Sequence, residues 1–470
     1  MRLERLPVAA LSSRIASKDV SPVEVFDYFF SRYERLNRHV NAVVAADAQS
    51  ARAAAREAET RALSGSRLGA LDGIPVTIKD NLFLRGFAAT WGSRLYQGFM
   101  PERDDIAVER LRAAGAVFLG KTNTPEFALN QYTDNLVFGA TRNPWAPELT
   151  PGGSSGGAVA ALALGLAPLA VGTDAGGSIR RPASYAGVVG FRPSTGRIPR
   201  AYGFPPLAHD FQVIGPAART TGDAYLLFRA MAGPDARDRL SGAFPALPQH
   251  LAETRLRRLR IRCVLAAGDA PIDPQVRESV ELAAKTLGDL GHAVDSGPAP
   301  YEPDRIDRIW TTLSSAGLAR VLEKHEDWEE RVHPSSKATA ERGAAIDARR
   351  YVGALDDVAA LRLEFAELFE TVDVLLTPTS AALPWEIDRP YPMRIDGRDV
   401  GPRGAALFAT FVNAAGLPAI SIPGAPAKSG LPIGIQLVGR FGDDVSLMAL
   451  AAEYEEANPW TERWPAMANQ

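Results

Sequence analysis

Between Pro151 and Arg181 the chain carries two glycine-serine clusters, Gly152-Gly153-Ser154-Ser155-Gly156-Gly157 and Thr173-Asp174-Ala175-Gly176-Gly177-Ser178-Ile179-Arg180, about one buried helix apart. Glycine gives up more backbone entropy on folding than any other residue, and it is used where the chain must take φ > 0 or let something approach the backbone closely. Two such clusters in short succession, each ending on hydroxyls, constrain the fold to bring both to one place. They read as a site built from bare backbone and serine side chains.

The surrounding pattern is α/β. Ser21-Pro22-Val23-Glu24 forms a capping box with proline at the first helical position and predicts a helix, followed by a second over Ala51–Leu63. Ile74–Ile78 alternates as a strand, with Lys79 and Asp80 at its end. A helix over Asp105–Ala114, a stop at Gly115 and a strand at Ala116–Gly120 continue the rhythm. Ala158–Leu164 is apolar on every face, which predicts a helix inside a large protein, and Pro168–Gly172 is a further buried strand. From about Gly233 to Val372 the character changes. A proline-rich connector (Phe244–Pro248) leads to a basic run, Arg255–Arg262, which reads as one solvated face. A strand at Ile261–Leu265, a helix over Val276–Leu290 and charged helices around Glu323–Val332 suggest a small α/β subregion. Strand patterns resume at Val374–Thr377, Ala419–Ile422 and Ile433–Val438. The expected architecture is a single large α/β domain: a mixed, twisted central sheet covered by helices on both faces and completed by both ends of the chain. Its parts are a helical N-terminal segment (about 1–65), a core (about 66–235), a variable cover that contributes to a substrate pocket (about 245–370) and C-terminal core strands (about 371–470).

Composition excludes several classes of function. With 52 basic and 55 acidic residues the net charge is -3, so no global field would draw the chain to nucleic acid or an anionic membrane. The single Cys263 rules out an intramolecular disulfide. The apolar start, Leu6–Leu11, is too short for a secretory signal, and no window of 18 apolar residues suggests a membrane span, so a cytoplasmic protein is expected. No H-x-x-H or C-x-x-C pattern exists, so neither a metal nor an organic cofactor is expected.

A serine hydroxyl needs a neighbouring base before it attacks anything. None of the six histidines (His39, His209, His250, His292, His325, His333) lies in either cluster; His209 is the one whose surroundings could border a site. Lysine can serve instead when burial lowers its pKa, and Lys79 ends an apolar strand. Gly152–Gly156 also fits G-x-S-x-G, but that nucleophile elbow follows a strand, whereas Asn143–Pro151 reads as a loop. A phosphate loop would need the G-K-[ST] ending, which is absent.

Lys79 with the two clusters resembles the amidase signature family, as do Gly120-Lys121-Thr122-Asn123, Phe138–Trp145, Gly187–Ser194 and Asn413–Ala419. The resemblance implies that Ser178 is the nucleophile, that Ser154, joined to Gly153 by a cis peptide, bridges it to Lys79, and that Lys79 is the base. The backbone N–H groups of Ala175, Gly176, Gly177 and Ser178 would form the oxyanion hole. Asp174 and Arg180 would brace the loop as a buried ion pair, with Ser155 as an accessory hydroxyl. The candidate substrate-binding residues are Tyr132, Thr133, Arg181 and His209; Arg181 would read an acidic substrate if its side chain enters the pocket. The implied partner is a small-molecule amide, without nucleic acid or membrane, and a homodimer is the candidate assembly. Within the family the alternative is the glutaminase subunit of a tRNA-dependent amidotransferase. Those subunits tend to carry a serine-rich, glutamate-containing segment where this chain has the bulkier Phe127–Asn135, which favours a free-standing amidase. A non-catalytic scaffold is disfavoured because all three triad positions are occupied.

Overall fold

The computed structural model describes residues 2–470. Its strands, in chain order, are β1 (Val43–Ala46), β2 (Pro75–Lys79), β3 (Val117–Thr122), β4 (Leu169–Asp174), β5 (Val189–Arg192), β6 (Val213–Ala218), β7 (Arg260–Cys263), β8 (Ala293–Ser296), β9 (Val374–Pro378), β10 (Arg394–Ile395), β11 (Arg398–Asp399), β12 (Ala419–Pro423) and β13 (Gly434–Gly439). Eleven of them make one mixed sheet in the order β1-β3-β2-β4-β6-β5-β12-β13-β9-β7-β8, and β10 and β11 pair separately. The C-terminal β12 inserts beside β5, so the last strands of the chain continue the sheet that the first strands begin.

Helices cover both faces. Along β4, Leu169 and Val171 pack in one cluster with Leu227 and Phe228 of the helix Thr221–Met231. Ala170 packs in another with Val159 and Leu162 of the helix Gly156–Ala163. Successive strand side chains point to opposite faces, so these two helices lie on opposite sides of the sheet. Every residue of Gly156–Ala163 is buried, as its unbroken apolar surface requires. The expected capping box is present at the helix Pro22–Val40: Glu24 N–H donates to Ser21 Oγ at 3.1 Å and Ser21 N–H to Glu24 Oε2 at 2.7 Å.

Register positions the site. β2 runs parallel to β4, with Ile78 beside Val171, so both strands end at the same edge of the sheet. The loops leaving them, one carrying Lys79 and Asp80 and the other Asp174 to Ser178, emerge side by side. This is where ligands bind in open α/β sheets, outside the carboxyl ends of the strands.

The segment 245–370 differs from the expected cover. β7 and β8 join the main sheet beyond β9, while the helix Pro303–Leu322 brings Trp310 against Gly176 of the second cluster. Pro303–Leu322 went unforeseen although Ile306, Ile309, Trp310 and Leu313 recur at helical spacing and are buried. The charged helices expected around Glu323–Val332 shrink to Trp328–Arg331, because Asp327 takes φ +55° before it and His333 precedes a proline after it. The basic run is the solvated face expected of it: Arg255, Arg257, Arg258 and Arg260 are exposed while Leu259 and Ile261 are buried, and Arg257 and Arg260 both reach Asp373 at 2.9 Å. No helix among the described residues is long and apolar enough to cross a membrane.

Candidate active site

Lys79 is fully buried at the end of β2, and its Nζ lies 2.7 Å from Ser154 Oγ and 3.0 Å from Thr173 Oγ1. Burial drives its pKa down to about 7, against the pull of the Asp174 carboxylate. A lysine in this state is divided between amine and ammonium at neutral pH. Asn81 Nδ2 donates to the same Thr173 Oγ1 at 3.0 Å, which fixes the hydroxyl that faces Lys79. Neighbouring Asp80 belongs to the scaffold: it accepts from Thr90 and lies 3.7 Å from the buried Lys121 Nζ, which also donates to the carbonyls of Leu82 and Ala88.

The first glycine-serine cluster turns sharply into the buried helix. The peptide between Gly153 and Ser154 is cis. Gly153 has no room for a side chain, since a Cβ there would stand 2.6 Å from the Tyr132 carbonyl oxygen. Ser155 joins the two clusters: its N–H donates to the Ser178 carbonyl at 3.0 Å and its Oγ to the Thr173 carbonyl at 3.3 Å. Ser154 and Ser178 line one cavity. Among the described residues no hydrogen bond joins their hydroxyls, a gap common in unliganded catalytic sites that tighten with substrate.

The second cluster is held by a buried charge network. Arg180 binds Asp174 with Nε to Oδ2 and Nη2 to Oδ1, both at 3.0 Å and both side chains fully buried. Asn413 Nδ2 donates to Asp174 Oδ1 at 2.8 Å, and its Oδ1 accepts from Arg180 at 2.6 Å; Gln436 Oε1 accepts another Arg180 donor at 2.6 Å. Burial alone would raise the Asp174 carboxyl, but the Arg180 charge and hydrogen bonds, with Arg192 and Asn413, outweigh it and hold the group well below the usual range.

The structure corrects four of the expected assignments. Gly177 N–H donates to Asp174 Oδ1 at 2.8 Å, so it is already engaged in the loop brace; the N–H groups of Ala175, Gly176 and Ser178 have no acceptor among the described residues. Thr133 does not face the cavity, because its Oγ1 donates to the Gly152 carbonyl at 2.8 Å and supports the first cluster. His209 is half exposed, pairs with Asp210 at 3.0 Å and borders an outer cleft instead of the cavity. Arg181 is buried beneath the loops: its Nη2 donates to the Gly153 carbonyl at 3.2 Å and its Nη1 reaches the Gly176 carbonyl at 3.5 Å. Tyr132 is half-buried against the same core cluster as Leu129 and Ala175, with its hydroxyl 3.4 Å from Asn130 Nδ2.

Residues that sequence reasoning missed fall into two kinds. Thr173, Asn413 and Lys121 stand inside motifs that were quoted whole, so the signal was present but unassigned. Trp310 and Gln212 reach the cavity from the cover helix and from the residue before β6, where nothing local marks them. Trp310 lies against Gly176, whose hypothetical Cβ would be 3.2 Å from the indole.

A model of the Amidase family matches residues 24–448. The chain belongs to the amidase family. Its chemistry is hydrolysis of an amide C–N bond. The amidase is 35% identical over 483 residues to a glutamyl-tRNA(Gln) amidotransferase subunit of Synechococcus sp. (strain CC9605), covering 96% of each chain. Among solved structures it is similar to a bacterial aryl acylamidase of the amidase signature enzymes, with TM-score 0.90, 26% identity and 99% of each chain covered. It is also similar to the corresponding glutamyl-tRNA(Gln) amidotransferase subunit of Thermotoga maritima, with TM-score 0.75, 27% identity, and 98% of this chain and 97% of that one covered.

Proposed function

We propose that the protein hydrolyses a small-molecule amide through an acyl-enzyme on Ser178, with Ser154 relaying protons to and from Lys79. One observation carries this reading: a fully buried lysine whose pKa sits at about 7, 2.7 Å from a serine hydroxyl that shares a cavity with Ser178. In its neutral form Lys79 takes the Ser154 proton as Ser154 takes that of Ser178, and Ser178 Oγ adds to the amide carbonyl. The developing oxyanion faces the unengaged N–H groups of Ala175, Gly176 and Ser178. As the tetrahedral adduct collapses, the C–N bond breaks and the leaving amine takes the proton back through Ser154. Water then adds to the ester carbonyl by the same relay and releases the carboxylate and Ser178. The Asp174–Arg180 network keeps the donor loop in place and does not enter the chemistry.

A second reading, the glutaminase subunit of a tRNA-dependent amidotransferase, draws support from the 35% identity to the Synechococcus protein. The free-standing reading draws support from the TM-score of 0.90 with the aryl acylamidase against 0.75 with the Thermotoga protein, and from the bulk of Asn130, Gln131 and Tyr132 beside the clusters. Ammonia and amine release by the purified chain, over a panel containing glutamine, small dicarboxylic monoamides, aryl amides and long-chain amides, separates them. Turnover of a non-glutamine amide by the chain alone is the expected result; silence on all but glutamine would assign it to a complex. Ser178→Ala is expected to abolish acyl-enzyme formation, and near-normal turnover by that variant would defeat the mechanism.

A further inference from the structure

The cavity above Ser154 and Ser178 is narrow: about 10 Å3 of it admits the centre of a water-sized sphere, room for about one water. No amide fits there, so a wall must move before substrate reaches the serines. Away from the two clusters the cavity is lined by Phe127–Leu129, by Trp310 of the cover helix, and by Leu207, Ala208 and Gln212.

The stretch that carries the last three is one peptide layer thick. Leu207 and Ala208 face the cavity, whereas Pro205, Pro206 and His209 face an outer cleft of about 520 Å3, and Gln212 borders both. Both ends of the layer are anchored. Phe204 stacks on Trp91 with ring centroids 4.5 Å apart, and its carbonyl accepts from Arg200 Nη2 at 2.9 Å. Phe211 is buried, and its carbonyl accepts from Arg192 and Asn413, both at 3.2 Å. Between the anchors the backbone is nearly unbonded. Pro205 and Pro206 have no N–H to donate, and Phe211 N–H to the Ala208 carbonyl is the backbone hydrogen bond found there. Asp210 is held from outside, its Oδ1 accepting from Arg362 Nη2 at 2.6 Å. What holds Leu207 is shape: a Cβ on Gly317 of the cover helix would stand 1.9 Å from the Leu207 carbonyl oxygen, so the Leu207 backbone sits in a notch that only glycine leaves open.

We infer that Pro205–His209 is a door between the outer cleft and the catalytic cavity, latched by the Leu207 backbone in the Gly317 notch, and that the cleft receives the non-reacting part of the amide. The inference rests on the reading that substrate must reach Ser178. The apolar surface of Ile198, Tyr202, Pro205 and Pro206 in the cleft suits an aryl or alkyl substituent.

The test reads access without requiring turnover. In a Ser178→Cys variant, the rate of thiol modification is measured with small methyl methanethiosulfonate and with a bulky aryl maleimide; Cys263, buried and with its thiol pushed up to about 11, gives the background measured in the parent protein. Adding Gly317→Ala, which evicts the Leu207 carbonyl, is expected to speed both reagents, the bulky one by about tenfold or more and the small one by a smaller factor. Leu207→Gly, which leaves the carbonyl in its notch but removes the side chain that lines the cavity and frees the backbone of the door, should also speed the bulky reagent and serves if Gly317→Ala misfolds. In the enzyme with Ser178 intact, Leu207→Gly should raise kcat/KM for aryl-substituted amides relative to the smallest amide turned over. Unchanged labelling in both variants, or acceleration by Trp310→Ala alone, would overturn the door. Failure of the introduced thiol to react even with the small reagent in every variant would instead strike the placement of Ser178 at the substrate.

Discussion

At the scale of single residues, the proposed chemistry depends on one lysine being starved of water. Lys79 is charged below its pKa and neutral above it, and only the neutral form can accept a proton. Because burial has lowered that pKa to about 7, kcat/KM is expected to climb as pH rises through about 7 and then level off. Lys79→Arg keeps a cation that cannot deprotonate. It should cost at least about 10³-fold in kcat/KM and abolish the climb, so a rate-pH profile that keeps its acid limb in this variant would mean another group is the base. Asn413 makes a second claim at this scale. It satisfies Asp174 and Arg180 at once, so Asn413→Ala leaves buried charged groups short of partners and should destabilise the fold by about 1–3 kcal/mol, read from urea unfolding.

Among the elements, glycine decides where substitution is tolerated. Gly157 lies in the first turn of the buried helix, and a Cβ there would meet backbone, 2.4 Å from Asn123 N and 2.6 Å from the Ala42 carbonyl oxygen. Gly157→Ala should cost about 1–3 kcal/mol or more and shift Ser154 and Ser155 with the helix. Gly222, in the helix Thr221–Met231, has nothing within 4 Å of the same added atom, so Gly222→Ala should stabilise by about 0.4–1 kcal/mol through the unfolded chain. Urea midpoints moving in the same direction for both would contradict this account. The same contrast explains what the sequence revealed. Elements whose signal is local were legible: the capping box at Ser21, β2 with Lys79 at its end, the all-apolar helix Gly156–Ala163. The clusters marked the loops of the proposed site because only glycine fits where backbone packs this closely on backbone. What tertiary packing alone decides was not legible. The orientation of Arg181 under the loops, the engagement of Gly177 N–H by Asp174, and the delivery of Trp310 across more than a hundred residues of chain leave no mark in their own neighbourhoods.

For the molecule as a whole, all three triad candidates and six strands of the main sheet lie within the first 245 residues, which invites the idea of an autonomous catalytic half. The sheet order argues against it. β5 pairs with β12, with Ala419, Ile420 and Ser421 opposite Arg192, Phe191 and Gly190, so a chain cut near residue 245 exposes the β5 edge along a buried strand. The cut also strips Arg180 of Gln436 and Asn413, and Asp174 of Asn413, leaving a fully buried ion pair without much of its hydrogen bonding. A fragment of residues 1–245 should therefore lack fixed side-chain structure by near-ultraviolet circular dichroism and turn over no amide. Co-expression with residues 246–470 should restore activity in the fraction that reassembles, because the missing contacts come from β12, β13 and the helix Thr410–Ala414 and need no covalent link. If the fragment alone gave a native-like spectrum and hydrolysed amides, the Asp174–Arg180 network would not need its C-terminal partners, and the catalytic loop would be held from the N-terminal side alone.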